Sequence, residues 1–74
     1  MNQIQLIGRL TRNPEIRYTT NNKPVASFTV AVNRIGQDNA DFINCIVWNN
    51  QAENLCKYQE KGSLIWVLGS LRVD

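Results

Sequence analysis

The chain has 74 residues, of which 43% are apolar and 19% charged, and its formal net charge is +2. A chain of this length forms one domain at most, and its apolar fraction is enough for a folded core, which argues against disorder. The longest apolar run, Leu64 to Leu68, is too short to span a membrane. No signal peptide is visible after Met1, so a cytoplasmic location is the default expectation.

Basic charge is concentrated in the first half of the chain. Residues 1–34 contain five basic residues against Glu15 alone, whereas residues 35–74 contain three basic and five acidic residues. A basic half is typical of a protein with a polyanionic partner if the fold gathers these side chains on one surface. Basic residues scattered over the solvated surface would give the same number of charges without forming a binding site.

Neither an enzyme active site nor a cofactor or metal site is expected. The chain contains no histidine and no Gly-rich phosphate loop, and Cys45 and Cys56 lack the spacing of a metal site. Both cysteines fall on the apolar side of a predicted element. We therefore expect them to be small core residues that form no disulfide.

The first predicted strand is Gln3–Leu10, in which apolar and polar residues alternate. Gly8 within this strand predicts a bulge or a sharp coil. After the turn residues Thr11–Pro14, the segment Ile16–Thr19 either extends the first strand or pairs with the next one. Asn21–Pro24 is the clearest loop in the chain.

The second predicted strand, Val25–Arg34, has an apolar inner face and an outer face of small side chains. The outer positions are Ser27, Thr29, Ala31 and Asn33. A face of this kind leaves room for a flat group to lie against it.

The third predicted strand, Asp41–Trp48, has an unusual outer face. Alternation places Ile43, Cys45 and Val47 towards the core. The same alternation places four residues on the opposite side, namely Phe42, Asn44, Ile46 and Trp48. Two aromatic residues about 20 Å apart would form a platform that stacks unpaired bases. A second hydrophobic layer or a subunit contact would use the same aromatics, so both interpretations stay open here.

The period then changes from two to about 3.6. Asn50 is the predicted N-cap with Glu53 as its capping-box partner, the predicted helix is Gln51–Lys61, and Gly62 is its C′ residue. The last predicted strand, Ser63–Val73, is apolar on both faces. One face would enter the core, and a subunit or a further part of the chain would have to cover the other.

Three strands, one short helix and a fourth strand predict an all-β fold. The order is that of an OB-fold Greek-key barrel with its helix between strands three and four, apparently truncated before strand five. Oligonucleotides commonly bind strands two and three of an OB-fold. Those are the strands that carry the small outer face and the aromatic platform.

Five segments of the chain, in order, resemble bacterial and phage single-stranded DNA-binding proteins. These segments are residues 8–19, 25–34, 40–48, 51–55 and 61–64, the first reading GRLTRNPEIRYT and the third ADFINCIVW. The similarity extends over essentially the whole chain. It implies an OB-fold that assembles, usually as a tetramer, and wraps single strands during replication, recombination and repair.

The resemblance also implies a set of site residues. Phe42 and Trp48 correspond to the stacking positions, and Asn44 to the polar position between them. The expected basic contacts to the DNA backbone are Arg9, Arg34, Lys61 and Arg72. The expected oligomer-interface positions are Gln3, Gln5, Ile7, Ile43 and Trp66. No membrane partner and no small-molecule substrate are expected.

Three departures from the family pattern bear on function. The connection Ile35–Asn39 is short where many members have a longer charged hairpin, and Asp74 stands where many continue with a basic residue. We also expect residues 1–74 to be the OB-fold DNA-binding domain without its last strand and acidic tail.

The alternative to DNA binding is an OB-fold assembly or primosome-type module whose main partner is protein. Exposure of Phe42 and Trp48 in the free oligomer would separate the two interpretations. Stacking alone does not distinguish DNA from RNA.

Overall fold

The computed structural model describes residues 2–36 and 38–72. The elements in chain order are β1 (Ile4–Leu10), β2 (Glu15–Tyr18), β3 (Pro24–Asn33), β4 (Ala40–Trp48), α1 (Asn49–Tyr58) and β5 (Leu64–Gly69). Within the described residues, no helix is long and apolar enough to cross a bilayer.

The five strands form one antiparallel sheet with β3 at its centre. β4 pairs along one edge of β3, while β2 and then the end of β1 pair along the other. The remaining edge of β1 pairs with β5. Among the described residues β4 pairs only with β3, and β5 only with β1, so these two strands keep one free edge each.

The core lies under β3, on the face where the alternation of apolar residues predicted it. Leu10, Phe28 and Val30 form the buried cluster, and Ala52 of α1 is also fully buried. Half-buried residues from four elements pack around this cluster, namely Val32, Cys45, Val47, Leu55, Ile65 and Val67. Cys45 packs against the core as predicted, while Cys56 is half-buried, and burial raises the pKa of both thiols.

Gly8 pairs with Ile65 of β5 and directly precedes Arg9 and Leu10, the residues of β1 that pair with β3. A Cβ atom on Gly8 would lie 2.3 Å from the carbonyl oxygen of Ala31 and 2.6 Å from Cγ1 of Val30. The pairing of β1 with β5 is unbroken from Ile4 to Arg9, so the predicted bulge is absent. Glycine is needed here because two backbones approach closely.

The sequence left the pairing of the segment after Pro14 open, and the structure settles it. Glu15–Tyr18 is a separate strand, β2, paired with residues 24–27 of β3. The fold therefore has five strands in the described residues rather than four, and its helix lies between β4 and β5.

The predicted start of the helix is wrong. The helix begins at Asn49 rather than Gln51, and the N-cap is Trp48, which makes no side-chain capping hydrogen bond. The predicted capping box of Asn50 and Glu53 is therefore absent. The reason is that β4 stays paired with β3 as far as Trp48, so the chain turns at once, with Asn49 at a φ of +61°. Asparagine tolerates this left-handed conformation better than most residues.

The predicted end of the helix is also wrong. The helix ends at Tyr58, and the backbone N–H of Gln59 donates to the carbonyl of Leu55 at 2.9 Å. Gly62, at a φ of +89°, belongs to the following turn, and its N–H donates to the carbonyl of Leu10. Contacts between this turn and β1 therefore stop the helix early.

β5 is shorter than the predicted strand Ser63–Val73. It spans Leu64–Gly69, because its partner β1 begins at Ile4, which pairs with Gly69. The predicted end at Val73 lies outside the described residues.

Candidate nucleic-acid interface

The outer face of β4 carries four exposed side chains, which we call the platform: Phe42, Asn44, Ile46 and Trp48. Phe42 is 67% exposed and Trp48 is 50% exposed. Successive residues of a strand point to opposite faces, so the intervening residues are half-buried on the core side. The predicted division of this strand into two faces is confirmed, and Ile46 adds an exposed aliphatic surface that the predicted site omitted.

The strand beside the platform, β3, carries small side chains, and we call this part of the sheet the floor. Each platform residue lies opposite a small or medium side chain of β3 in the order Ala31, Thr29, Ser27 and Val25. Val25 is buried and the other three are half-buried, so none projects far above the sheet. The Thr29 hydroxyl donates to Oδ1 of Asn44 at 2.8 Å. The surface can therefore accept flat groups, as the second predicted strand indicated.

Phe42 shares a cross-strand row with an arginine. Phe42 lies opposite Ala31, and Ala31 lies opposite Arg9 of β1, so the three residues point to the same side. The Cα atoms of the outer two are about 10 Å apart across two strand spacings. Nη1 of Arg9 donates to the carbonyl of Gly62 at 3.0 Å, next to Lys61. One of the predicted basic residues, Arg9, therefore lies in the row at the Phe42 end of the platform, and its guanidinium contacts the turn that contains Lys61.

Trp48 shares a row with a second arginine, which the sequence analysis did not place in the site. Trp48 lies opposite Val25, and Val25 lies opposite Arg17 of β2. Arg17 is exposed. The register of β2 is the signal that identifies it, and periodicity alone leaves that register open. The same register places the carboxylate-bearing Glu15 on this side, in the row of Ile46.

Arg34 and Arg72 are not brought to the platform. Arg34 donates through Nε and Nη2 to Oδ1 of Asp41, at 3.0 and 2.7 Å. This hydrogen bond lowers the pKa of the Asp41 carboxyl and raises the pKa of the guanidinium. By alternation, Asp41 lies on the opposite side of β4 from Phe42. Arg72 follows β5, at the other end of β1 from Arg9.

A second exposed apolar surface lies on the outer side of β1 and β5, which we call the β1–β5 face. Its members are Ile7, Leu64, Trp66 and Leu68. Trp66 is 69% exposed and lies directly opposite Ile7. Two other predicted interface residues are also exposed, namely Gln3 just before β1 and Gln5 within it. Ile43 is half-buried on the inner side of β4, so the structure does not bring it to this face.

The chain is similar to single-stranded DNA-binding proteins of bacteria. The model of the single-strand binding protein family matches residues 1–74. The chain is 53% identical to the single-stranded DNA-binding protein of Halalkalibacterium halodurans, over 97% of this chain and 46% of that one. It is 51% identical to single-stranded DNA-binding protein A of Bacillus subtilis, over 97% and 45%. The chain thus spans about half the length of the curated relatives it matches.

A solved structure gives the same result for the fold. A crystal structure of a deletion mutant of the Thermus aquaticus single-stranded DNA binding protein matches with a TM-score of 0.86 and 33% identity. The match covers 95% of this chain and 32% of that one. This similarity confirms the predicted OB-fold, and the names of the family and of these relatives describe binding proteins. The chain belongs to the single-strand binding protein family.

Proposed function

We propose that this chain binds single-stranded DNA with little dependence on sequence. Bases stack on Phe42 and Trp48, and basic side chains hold the phosphates. The observation that carries the proposal is the platform itself, two exposed aromatics on one strand beside a low floor. An arginine at each end of that floor, Arg9 and Arg17, supplies positive charge where a backbone would pass.

Stacking and charge contribute in different ways. Each stacked base contributes roughly 1–3 kcal/mol and tolerates any sequence, because every base has a π-face. Phosphate contacts release counterions, so affinity falls as salt rises, with a slope of about −0.7 per neutralised phosphate. Lys61, near Arg9, adds to this second contribution. Arg34 and Arg72 remain predicted contacts, and Arg34 would first have to leave Asp41.

We also propose that the chain assembles with copies of itself, as a tetramer, through the β1–β5 face. Large apolar side chains seldom gather on a monomer's surface without a partner. Trp66 and Ile7 would form the centre of the contact, with Gln3 and Gln5 at its margin. Ile43 would belong to a separate contact, because it lies on another strand.

The family resemblance supports a wider role for the intact protein, in replication, recombination and repair within the cytoplasm. Residues 1–74 would be its OB-fold DNA-binding domain. In an OB-fold the barrel closes, so a further strand would pair with the free edges of β4 and β5. An extended chain that melts at a higher temperature would support this assignment, and an unchanged melting temperature would count against it.

The second candidate function is an assembly module whose main partner is protein. The β1–β5 face favours it, because four large apolar side chains are exposed together there. This function predicts that the platform becomes buried when the chains assemble, whereas DNA binding requires it to stay exposed.

The test is a fluorescence titration of the protein with oligo-dT and with a duplex of equal length at two salt concentrations. We expect quenching of tryptophan emission, tighter binding of the single strand, and weaker binding at the higher salt. Trp66→Phe should keep the quenching and Trp48→Phe should remove most of it, because only Trp48 lies on the platform.

Two results would contradict the proposal. Equal affinity for duplex and single strand is one, because duplex bases offer no free faces. The other is quenching that survives Trp48→Phe and disappears with Trp66→Phe, which would place the ligand on the β1–β5 face.

A further inference from the structure

The edge of β3 that lies away from the platform is not uniformly basic. The end of β1 and all of β2 pair with this edge, which places Arg9 towards one end of it and Arg17 towards the other. Glu15 lies between these two arginines, opposite Ser27 and in the row of Ile46. A carboxylate therefore separates the two cations beside the middle of the proposed binding surface.

No neighbouring side chain in the described part of the chain neutralises this carboxylate. Glu15 is exposed, and the one salt bridge among the described residues joins Arg34 to Asp41. Arg17 is on the same side of β2 as Glu15, two residues along the strand and so about 7 Å away between Cα atoms. The negative charge of Glu15 therefore acts on any group that lies over this edge of the sheet.

A bound strand that contacts both arginines has to pass Glu15. The partners of Arg9 and Arg17 on β3 are Ala31 and Val25, which are about 20 Å apart along the strand. One strand of DNA with stacked bases carries a phosphate about every 3.4 Å along its axis, so several phosphates span this distance. With the bases on the platform and phosphates at both arginines, the phosphates in between lie beside Glu15.

We propose that Glu15 is a specificity-determining residue that repels the phosphates between Arg9 and Arg17 and so limits the contribution of charge to binding. The inference rests on the proposed single-stranded DNA binding and concerns the same site. Two unit charges about 7–10 Å apart in water interact with an energy that corresponds to roughly a 2- to 3-fold change in affinity. The repulsion acts on phosphates and not on bases, so it disfavours polyanions that have no free bases to stack.

The experiment measures the Kd for oligo-dT with two backbones of equal length, the normal phosphodiester and an uncharged methylphosphonate. Glu15→Gln removes the charge and keeps the length and polarity of the side chain. We expect it to tighten binding of the phosphodiester roughly 2- to 5-fold at about 0.05 M salt, because several phosphates are affected. The gain should fall below twofold at about 0.3 M salt, where screening is effective over a shorter distance than the separation of the charges. The Kd for the uncharged backbone should not change.

Glu53→Gln is the matched control. It makes the same change in net charge at another exposed position, on α1, which packs against the core on the other side of β3. It should tighten binding by less than about 1.5-fold at about 0.05 M salt, because a distant charge is screened more. Equal gains from the two substitutions would mean that only net charge matters, and the inference would be wrong. It is also wrong if Glu15→Gln weakens binding, or changes the Kd for both backbones by the same factor.

A charge reversal tests the inference by a second route. Glu15→Lys changes the charge by two units, so the gain should be about the square of that for Glu15→Gln. Both variants alter an exposed side chain and should fold. A gain with Glu15→Lys and none with Glu15→Gln would mean that a new contact forms and no repulsion is removed, which would overturn the inference. Failure of the proposed function looks different, because the unmodified protein would then show no preference for single strands over duplex.

Discussion

The platform and the β1–β5 face each expose one tryptophan, and their surroundings differ. Around Trp48 the neighbours are a buried valine and an arginine in the same row, with exposed Ile46 and then Asn44 farther along the strand. Around Trp66 the neighbours are Ile7, Leu64 and Leu68, which form an apolar cluster, with Gln5 opposite Leu68 and Arg9 opposite Leu64 at its two ends. One surface suits a polyanion with flat bases, and the other suits a second protein surface.

The comparison shows that exposed aromatics alone do not identify a nucleic-acid site. The two tryptophans are similarly exposed, so exposure cannot separate their roles. What separates them is the height of the side chains alongside and the charge at the ends of the row. Both features depend on strand register.

The largest expected effect is on DNA affinity. Phe42→Ala and Trp48→Ala should each raise the Kd for oligo-dT roughly 5- to 150-fold, because each removes a stacking surface. The salt slope should stay nearly unchanged, because no charge is lost. Fluorescence anisotropy with a labelled oligonucleotide measures both quantities.

Trp66→Ala is the matched control for this experiment. It removes an equally large exposed ring from the other face and should leave the affinity for a short oligo-dT within about twofold, since no stacking surface of the roughly 1–3 kcal/mol kind is removed. If Trp48→Ala instead dissociates the oligomer with DNA affinity intact, the platform is a structural surface.

The second prediction concerns association between chains, which should depend on Trp66 and not on the platform. Trp66→Ala should weaken association between chains by about 30-fold, because a central buried aromatic at an interface contributes on the order of 2 kcal/mol. Phe42→Ala should not change it. Sedimentation velocity over a range of concentrations gives the association constants, and an unchanged value for Trp66→Ala would rule out the β1–β5 face as the contact.

The third prediction concerns the salt dependence of DNA binding and the arginines that set it. Arg17→Ala should reduce the magnitude of the salt slope by about 0.7, the amount expected for one lost phosphate contact to a single strand. Arg34→Ala is expected to reduce it by at most that amount, because this guanidinium is engaged by Asp41. If only Arg34→Ala changes the slope, the backbone follows the β3–β4 connection rather than the row of Trp48.

The smallest expected effect is on stability. The hydrogen bond from Arg34 lowers the pKa of Asp41, so the carboxylate stabilises the fold above its unfolded pKa, and this contribution is lost as the pH falls below about 4. Thermal unfolding of Asp41→Asn and the unmodified protein should differ slightly at neutral pH and converge once the pH falls below the lowered pKa of Asp41. The difference should be small because both groups are exposed. A difference that grows on acidification would contradict it.

Most of the fold could be predicted because alternation along a strand reports burial directly. The division of β3 and β4 into two faces followed from that pattern, whereas the exposure of Phe42 and Trp48 on the outer face did not. Features set by contacts between distant residues could not be predicted in the same way. The helix starts early because β4 stays paired to its last residue, and Arg17 joins the site only through the register of β2. The salt bridge between Arg34 and Asp41 forms because the β3–β4 connection brings these two residues together.

The pairing of β1 with β5 also bears on the order of folding. This pairing joins opposite ends of the chain, with Ile4 beside Gly69, whereas β3 and β4 are joined by a short connection. Closing a short loop costs less entropy than closing a long one, so contacts between near neighbours form sooner. We expect the β3–β4 hairpin, and the platform with it, to gain amide protection before β1 and β5 in pulsed hydrogen exchange. During synthesis the platform would then take shape before the β1–β5 face.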